Sequence, residues 1–222
     1  MDSRKVFLLL SICMFVPVAN AGVIIGGTRV IFPGDKKEAS LSVDNPDSTP
    51  YLIQSWIEST DKSKAPFIIT PPLYRLDGKQ QNVMRIVRAG GRQPEDRESM
   101  YWVNIKSIPQ AAKDKNVLQV AIKTRIKLIF RPQNIKDKNP VDVADKLQWS
   151  SQGQQLQVKN PTPFYMNFQA ITANGKNIAK PAWVAPYSTK NYSLNGAPGA
   201  GKVSWKIIND YGAVSQAWSA NY

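Results

Sequence analysis

The chain has 222 residues, a formal net charge of +13, no histidine and a single cysteine. The lack of histidine excludes a Ser-His-Asp triad and the imidazole ligands that zinc usually takes, so an enzyme would need paired carboxylates or a lysine base. Lysine and arginine are scattered among strand-like segments and form no dense basic block with aromatic residues, which argues against nucleic-acid binding. The charge instead indicates a solvated basic surface or attraction to acidic partners.

Residues 1–21 have the pattern of an export signal peptide. Arg4 and Lys5 precede an apolar run at 6–16, and the Ala-Asn-Ala sequence at 19–21 satisfies the small-x-small cleavage rule. The leader carries one acidic and two basic residues and the only cysteine, so the mature chain would have a charge of +12 and no disulfide. The apolar run is shorter than the roughly 20 residues of a spanning helix, and we expect no membrane insertion.

Short runs rich in β-branched and aromatic residues follow the leader and alternate with turn signals, with no sustained helical stripe. This pattern predicts about seven strands before residue 132, which favours an immunoglobulin-like sandwich. The predicted strands are TRVIF, EASLSVDN, YLIQSWIES, PFIITPPLYRL, QNVMRIVRA, SMYWVNIKSI and NVLQVAIKTRIKLIFRP.

The last of these strands is unusually long. Its apolar face from Leu118 to Phe130 would extend for about 40 Å at roughly 3.3 Å per residue, whereas a typical strand has about 5 to 6 residues. At this length one end of the face would extend beyond its own domain. Alternation alone allows Leu118, Val120 and Ile122 either to join the core or to contact a partner.

A second β domain is predicted after a polar segment at 133–143, which has the composition of a short hinge. We place the domains at residues 22–137 and 138–222. The second series of strands is KLQWSSQG, QQLQVKNPTP, FYMNFQAITA, WVAPYSTKNYSL and KVSWKIINDYGAVSQAWSA. Two small β domains joined by a brief linker commonly leave a cleft between them.

Five motifs, in their order along the two domains, resemble motifs of the periplasmic chaperones of the chaperone-usher pilus pathway. They are PYLIQSW (50–56), PEDRESMYWVNIKSIP (94–109), NVLQVAIKTRIKLIFRP (116–132), NPTPFY (160–165) and INDYG (208–212). The resemblance implies an all-β fold of two immunoglobulin-like sandwich domains arranged as a boomerang with an interdomain cleft. It also implies a periplasmic binding protein, without cofactor or metal, that stabilises pilus subunits by donor-strand complementation and delivers them to an outer-membrane usher.

The resemblance assigns roles to three groups of residues. The groove-filling residues of the donated strand would be Leu118, Val120 and Ile122, while Ile126, Leu128 and Phe130 would remain in the chain's own core. The residues that bind the subunit's C-terminal carboxylate would be Arg29 and Lys127, with Arg125, on the same face as Lys127, as a rival or an additional ligand. The interdomain ion network would be Glu98, Arg131 and Asp210. The eight residues from Gln110 to Val117, without a cysteine pair, are typical of the short-loop branch of the family.

Two other functions have less support. An exported fimbrial subunit would be a single incomplete sandwich with a donor segment at its mature N-terminus, whereas here the long strand lies mid-chain. An enzyme is disfavoured because Asp96 and Glu98 lie among other charges at a turn and no catalytic set converges. Self-association through the long strand, when the protein is free, stays open.

Overall fold

The computed structural model describes residues 22–61, 63–111, 118–194 and 199–222. The predicted leader and residues 112–117 of the predicted short loop lie outside these ranges. The strands are β1 (Ile24–Ile25), β2 (Arg29–Pro33), β3 (Glu38–Asp44), β4 (Tyr51–Ser59), β5 (Phe67–Thr70), β6 (Leu73–Leu76), β7 (Gln81–Arg88), β8 (Ser99–Pro109), β9 (Ile122–Arg131), β10 (Gln148–Gln152), β11 (Gln155–Lys159), β12 (Met166–Ala173), β13 (Lys176–Asn177), β14 (Trp183–Val184), β15 (Thr189–Ser193), β16 (Lys202–Ile207) and β17 (Trp218–Asn221).

The first sandwich packs a four-stranded sheet, in the order β1-β3-β7-β5, against a five-stranded sheet in the order β2-β9-β8-β4-β6. Inward side chains alternate along each strand, as expected for sheets with one buried face. Phe32, Phe67 and Phe130 form the aromatic centre of this core, with ring centroids 5.1 to 6.1 Å apart. β9 therefore contributes to the core of its own domain.

One predicted strand, PFIITPPLYRL, is two strands in different sheets. β5 pairs with β7 and β6 pairs with β4, and the break falls at Pro71 and Pro72. A proline has no N–H for a sheet ladder, so the pair ends one strand and lets the chain cross to the other sheet.

The chain changes sheets a second time at Gly26 and Gly27. β1, which the sequence did not predict, pairs with β3, whereas β2 pairs in parallel with β9. A Cβ added to Gly26 would collide with the Ser42 side chain, so the close approach of the two strands requires glycine at this position.

The prediction of one strand from Leu118 to Phe130 was too long. β9 begins at Ile122, which pairs with Ser107, and residues 118–121 form no regular structure. A strand needs a hydrogen-bonding partner, and none of the described residues pairs with this segment. The apolar overhang is present, but in the free chain it is not an extended part of the sheet.

The second sandwich consists of a three-stranded sheet, β10-β11-β15, and a five-stranded sheet in which β12 pairs with β13, β14 and β16, and β16 pairs with β17. Its core contains Trp149 and Trp205, with ring centroids 5.2 Å apart, together with the fully buried Phe164. The all-β prediction of two immunoglobulin-like sandwiches is therefore confirmed.

The segment between the sandwiches holds two short 3-10 helices, Gln133–Ile135 and Pro140–Lys146. The second has a capped N-terminus. The Asp142 carboxylate accepts a hydrogen bond from the Asn139 N–H at 3.1 Å, and proline follows Asn139. Neither of these helices, nor any other helix of the described residues, is long and apolar enough to cross a bilayer.

Candidate functional site

The first half of β9 has one free edge. β8 pairs with β9 from Ile122 to Phe130, whereas β2 pairs with the opposite edge only from Lys127 to Arg131. Among the residues that the structure describes, no strand pairs with that opposite edge between Ile122 and Ile126. The backbone N–H and C=O groups along this stretch can therefore pair with an added strand.

The apolar side chains at this edge are exposed, in contrast to those farther along the strand. The exposed fractions are 88% for Leu118, 64% for Val120 and 50% for Ile122. The corresponding fractions are 7% for Ile126, 0% for Leu128 and 4% for Phe130. Single exposed apolar residues are common, but three at alternating positions beside a free sheet edge form a candidate binding surface.

Arg29 and Lys127 lie side by side where the free edge ends. They are directly opposite each other in the parallel ladder of β2 and β9, and both are half-buried. The Arg29 Nη1 donates to the Ile208 carbonyl of the second sandwich at 3.2 Å, while the Nε has no hydrogen-bond partner among the described residues. Neither cation has a carboxylate within 4.0 Å in the described part of the chain.

Burial makes this pair of cations a candidate site for an anion. Desolvation, with a smaller contribution from repulsion by Arg29, lowers the pKa of Lys127 to about 8. Desolvation also lowers the pKa of Arg29, although the nearby Asp210 carboxylate opposes this effect. Two partly dehydrated positive charges with an unused N–H donor are best stabilised by a carboxylate or another small anion.

Glu98, Arg131 and Asp210 are brought together between the sandwiches, four residues from Lys127 along β9. The Arg131 Nη1 and Nη2 donate to the two oxygens of Asp210 at 2.7 and 2.8 Å, and its Nε donates to Glu98 at 2.8 Å. The second Glu98 oxygen accepts from the Tyr165 N–H at 2.8 Å. These bonds connect β9, and the residue just before β8, in the first sandwich to two loops of the second.

The network is almost completely removed from water. The Glu98 side chain is 0% exposed and that of Arg131 is 5% exposed. Burial raises the pKa of Glu98 to about 7, even though Arg131 and the Tyr165 N–H lower it. Such a buried network connects the two sandwiches, while the cost of removing its charges from water offsets much of the attraction between them.

Comparisons with known proteins identify the family. The family profile for the PapD N-terminal domain, a pili and flagellar-assembly chaperone, matches residues 22–136, and that for the C-terminal domain of the pili assembly chaperone PapD matches residues 142–219. The chain belongs to the PapD-like pilus-assembly chaperones. The predicted resemblance is thereby confirmed.

Individual relatives match both domains. The probable fimbrial chaperone LpfB of Escherichia coli O157:H7 is 42% identical over 100% of this chain and 97% of its own length. FimC of E. coli K12 is 40% identical over 94% of this chain and 90% of its own. The SafB chaperone in the Salmonella enterica complex with SafA pilin superposes with a TM-score of 0.84 at 40% identity, covering 92% of this chain and 98% of that chain.

Arg125, the alternative to Lys127 as an anion ligand, differs from it in its contacts. The Arg125 Nη2 already pairs with Glu58 at 3.1 Å, and its guanidinium lies 4.4 Å from the centre of the Trp102 ring. It therefore has a carboxylate partner, whereas Lys127 has none in the described structure. The geometry favours Lys127 as the partner of Arg29.

Trp183 is a residue of the cleft that sequence analysis missed. This side chain on β14 of the second sandwich contacts Trp102 of the first, with ring centroids 5.7 Å apart. The Lys127 Nζ lies 5.2 Å from the centre of the Trp183 ring. Its segment was identified only as a strand, because nothing local to the sequence indicates which residue of β9 it faces.

Proposed function

We propose that this protein is a periplasmic chaperone that captures fimbrial subunits by adding its own strand to them and delivers them to an outer-membrane usher. The family assignment supports a role in pilus assembly. One relative of 42% identity is a probable fimbrial chaperone, another is seen with a pilin, and a third, SfaE, was solved as a periplasmic chaperone at 40% identity. The observation on which the proposal depends is the free edge of β9 that ends at Arg29 and Lys127.

The topology supports one direction for a guest strand over the other. β2 runs parallel to β9 and begins at Arg29, and the free edge lies just before it. A guest strand in the same row and the same direction as β2 would end where β2 begins, so its C-terminal carboxylate would meet Arg29 and Lys127. An antiparallel guest would place its positive amino terminus against the same two cations and would be repelled.

The apolar surface provides the main binding energy. An incomplete subunit with an open groove would bury Leu118, Val120 and Ile122, and each large side chain contributes on the order of 1.5 to 3 kcal/mol before ordering costs. Residues 118–121 have no regular structure in the free chain. Pairing with the guest would extend β9 through them, and main-chain hydrogen bonds would bind subunits of different sequence.

The cations would set the register of the added strand. Alternating apolar side chains fit equally well after a shift of two residues, so apolar contacts alone leave the guest free to slide. A carboxylate bound by the Arg29 fork and the Lys127 ammonium removes this freedom, because charge-assisted bonds are lost in every shifted register.

Release requires no nucleotide in this mechanism. A subunit strand that fits the groove better can replace β9, because specificity depends only on the difference between the two affinities. The usher would be the place of exchange. Export through a leader at residues 1–21, and domains at 22–137 and 138–222, are parts of the same proposal.

The test is periplasmic coexpression with the fimbrial subunit encoded beside the chaperone, followed by purification of the chaperone and analysis of what accompanies it. We expect an equimolar complex with the wild type and none with Arg29→Ala or Lys127→Ala, while both variants keep wild-type circular dichroism. Lys206→Ala, at an exposed position of β16, is the matched control and should retain the complex. Normal complex yields from both cleft variants would refute the carboxylate site.

A further inference from the structure

A group of cations on β9 and on the second sandwich extends beyond the pair formed by Arg29 and Lys127. Each of these cations lies against the face of an indole ring. We call this group the cationic face; its members are Lys123, Arg125, Lys127 and Lys190. The first three alternate along β9, and the fourth belongs to β15 of the second sandwich.

The indole rings hold the cations in place. The Lys123 Nζ lies 4.9 Å from the centre of the Trp56 ring, and the Arg125 guanidinium 4.4 Å from that of Trp102. Lys127 and Lys190 share Trp183, at 5.2 and 5.4 Å. Contacts of this kind favour a cation without neutralising its charge. The face is therefore pre-organised and still positive.

Few carboxylates balance this charge. Among the described residues Arg125 alone of the four has a carboxylate within 4.0 Å, that of Glu58 at 3.1 Å. Glu58 itself is held by the Trp56 Nε1, which donates to it at 2.7 Å, and this bond, ahead of the nearby cations, lowers the pKa of Glu58. Arg131, the next cation along the same face of β9, is fully paired with Glu98 and Asp210. On β9, the excess positive charge is thus confined to the part before Arg131.

The spacing of the cationic face matches that of a guest strand. Side chains at alternating positions of a strand are about 6.6 Å apart and lie on one side of the sheet. Lys123 and Arg125 flank the free edge, so a guest in that row would place every second side chain beside them. The guest's other side chains would point to the opposite side, where the apolar groove contacts are made.

We infer that the cationic face selects guest strands that carry acidic side chains at alternating positions just before the C-terminal carboxylate. This inference rests on the proposed function and names the subunits that the chaperone prefers. Opposite charges across a pair of strands stabilise pairing, and the positive row also attracts an acidic segment before contact. Apolar contacts would then bind any subunit, and the cationic face would make the affinity higher for subunits with an acidic C-terminal strand.

Two synthetic peptides of equal length provide the test. Both have alternating apolar residues and a free C-terminal carboxylate; one has glutamate and the other glutamine at two alternating positions before the C-terminus. Titration calorimetry with the full chaperone at low salt should show that the glutamate peptide binds about tenfold more tightly, since each exposed ion pair contributes roughly a two- to fivefold change. The preference should shrink at about 0.15 M salt, where the screening length is about 8 Å.

Chaperone variants connect the preference to the cationic face. The double substitution Lys123→Gln and Lys190→Gln should reduce the difference between the peptides to about twofold, with little change for the glutamine peptide. Lys206→Gln, the control on β16, should leave the preference intact. Equal affinities of the two peptides for the wild type, or an unchanged preference in the double variant, would overturn the inference and leave the proposed function standing. Failure of both peptides to bind the wild type would count against the proposed function itself, and the inference would fall with it.

Discussion

The two halves of β9 have the same alternating sequence and opposite environments. In the second half, Leu128 is fully buried, both edges of the strand are paired, and Arg131 is bound by two carboxylates. In the first half, together with residues 118–121 that precede it, the apolar side chains are half to almost fully exposed and one edge is free; Lys127, where that free edge ends, lies beside another cation. One strand therefore completes its own domain and also presents an incomplete surface.

This difference separates stability from function along a single strand. Groups that are already paired contribute to folding, and their loss leaves a cavity or an unpaired buried charge. Groups left without partners contribute little to folding, so a guest can pair with them without first breaking an internal contact. Substitutions in the second half should therefore lower the free energy of unfolding, and those in the first half should lower only the affinity for subunits.

The largest effect is expected at Arg131. Arg131→Ala leaves the Glu98 carboxylate buried without its cation, and removal of one partner of a buried ion pair costs about 3–5 kcal/mol. Urea unfolding of the purified protein, followed by tryptophan fluorescence, measures this loss. The matched control is Arg85→Ala, because Arg85 forms an exposed and long ion pair, with 4.0 Å between its Nη1 and the Glu38 carboxylate. We expect the free energy of unfolding to change by less than about 1 kcal/mol in this variant.

A second substitution separates charge from packing at the same site. Replacing Glu98 with glutamine in the Arg131→Ala background removes the unpaired charge and should recover part of the lost stability. If Arg131→Ala alone unfolds at the same urea concentration as the wild type, the second half of β9 does not have the structural role that its contacts indicate.

Two leucines on the same face of the long segment allow a direct comparison of its halves. Leu128→Ala removes fully buried methyl groups and should destabilise the protein by about 2–5 kcal/mol. Leu118→Ala, at 88% exposure, should change the unfolding free energy by less than about 0.5 kcal/mol. In the coexpression assay, however, Leu118→Ala should lower the yield of subunit complex. A stability loss of similar size in both variants would show that the overhang packs against its own domain.

The sequence predicted which side chains of β9 lie in the core, because alternation depends only on local geometry. It did not predict where the strand begins, because that depends on β8, whose last partner for β9 is Ser107. The break in PFIITPPLYRL was readable at Pro71 and Pro72, since proline cannot donate to a ladder. The error there was to read through two adjacent prolines.

The candidate site was predicted only in part, for a similar reason. Motifs led to Arg29 and Lys127 through a family resemblance, and the structure places them opposite each other. The choice between Lys127 and Arg125 depends on Glu58, which belongs to β4 and meets β9 only across β8. The contact of Trp183 with Lys127 depends on how the two sandwiches pack, which no local pattern specifies.

The smallest predicted effect is a dependence of guest binding on pH, which tests whether Lys127 lacks a carboxylate in the free chaperone. Its pKa is lowered to about 8. A bound carboxylate favours the charged ammonium and raises this pKa, so binding takes up a proton above pH 8. The affinity for a peptide with a free C-terminal carboxylate should therefore fall roughly tenfold between about pH 7 and pH 9, as the charged fraction in the free protein falls.

The stability of the free chaperone should change in the opposite direction. Between about pH 8 and the ordinary lysine pKa the unfolded chain binds more protons than the folded one, so this residue makes the free energy of unfolding rise with pH. Lys127→Met should remove both effects, and its affinity for the peptide should be low and nearly constant from about pH 7 to pH 9. If the wild-type affinity does not change over this pH range, the charge of Lys127 is already neutralised by an anionic group in the free chaperone. The contrast between the two halves of β9 would then not extend to their charges.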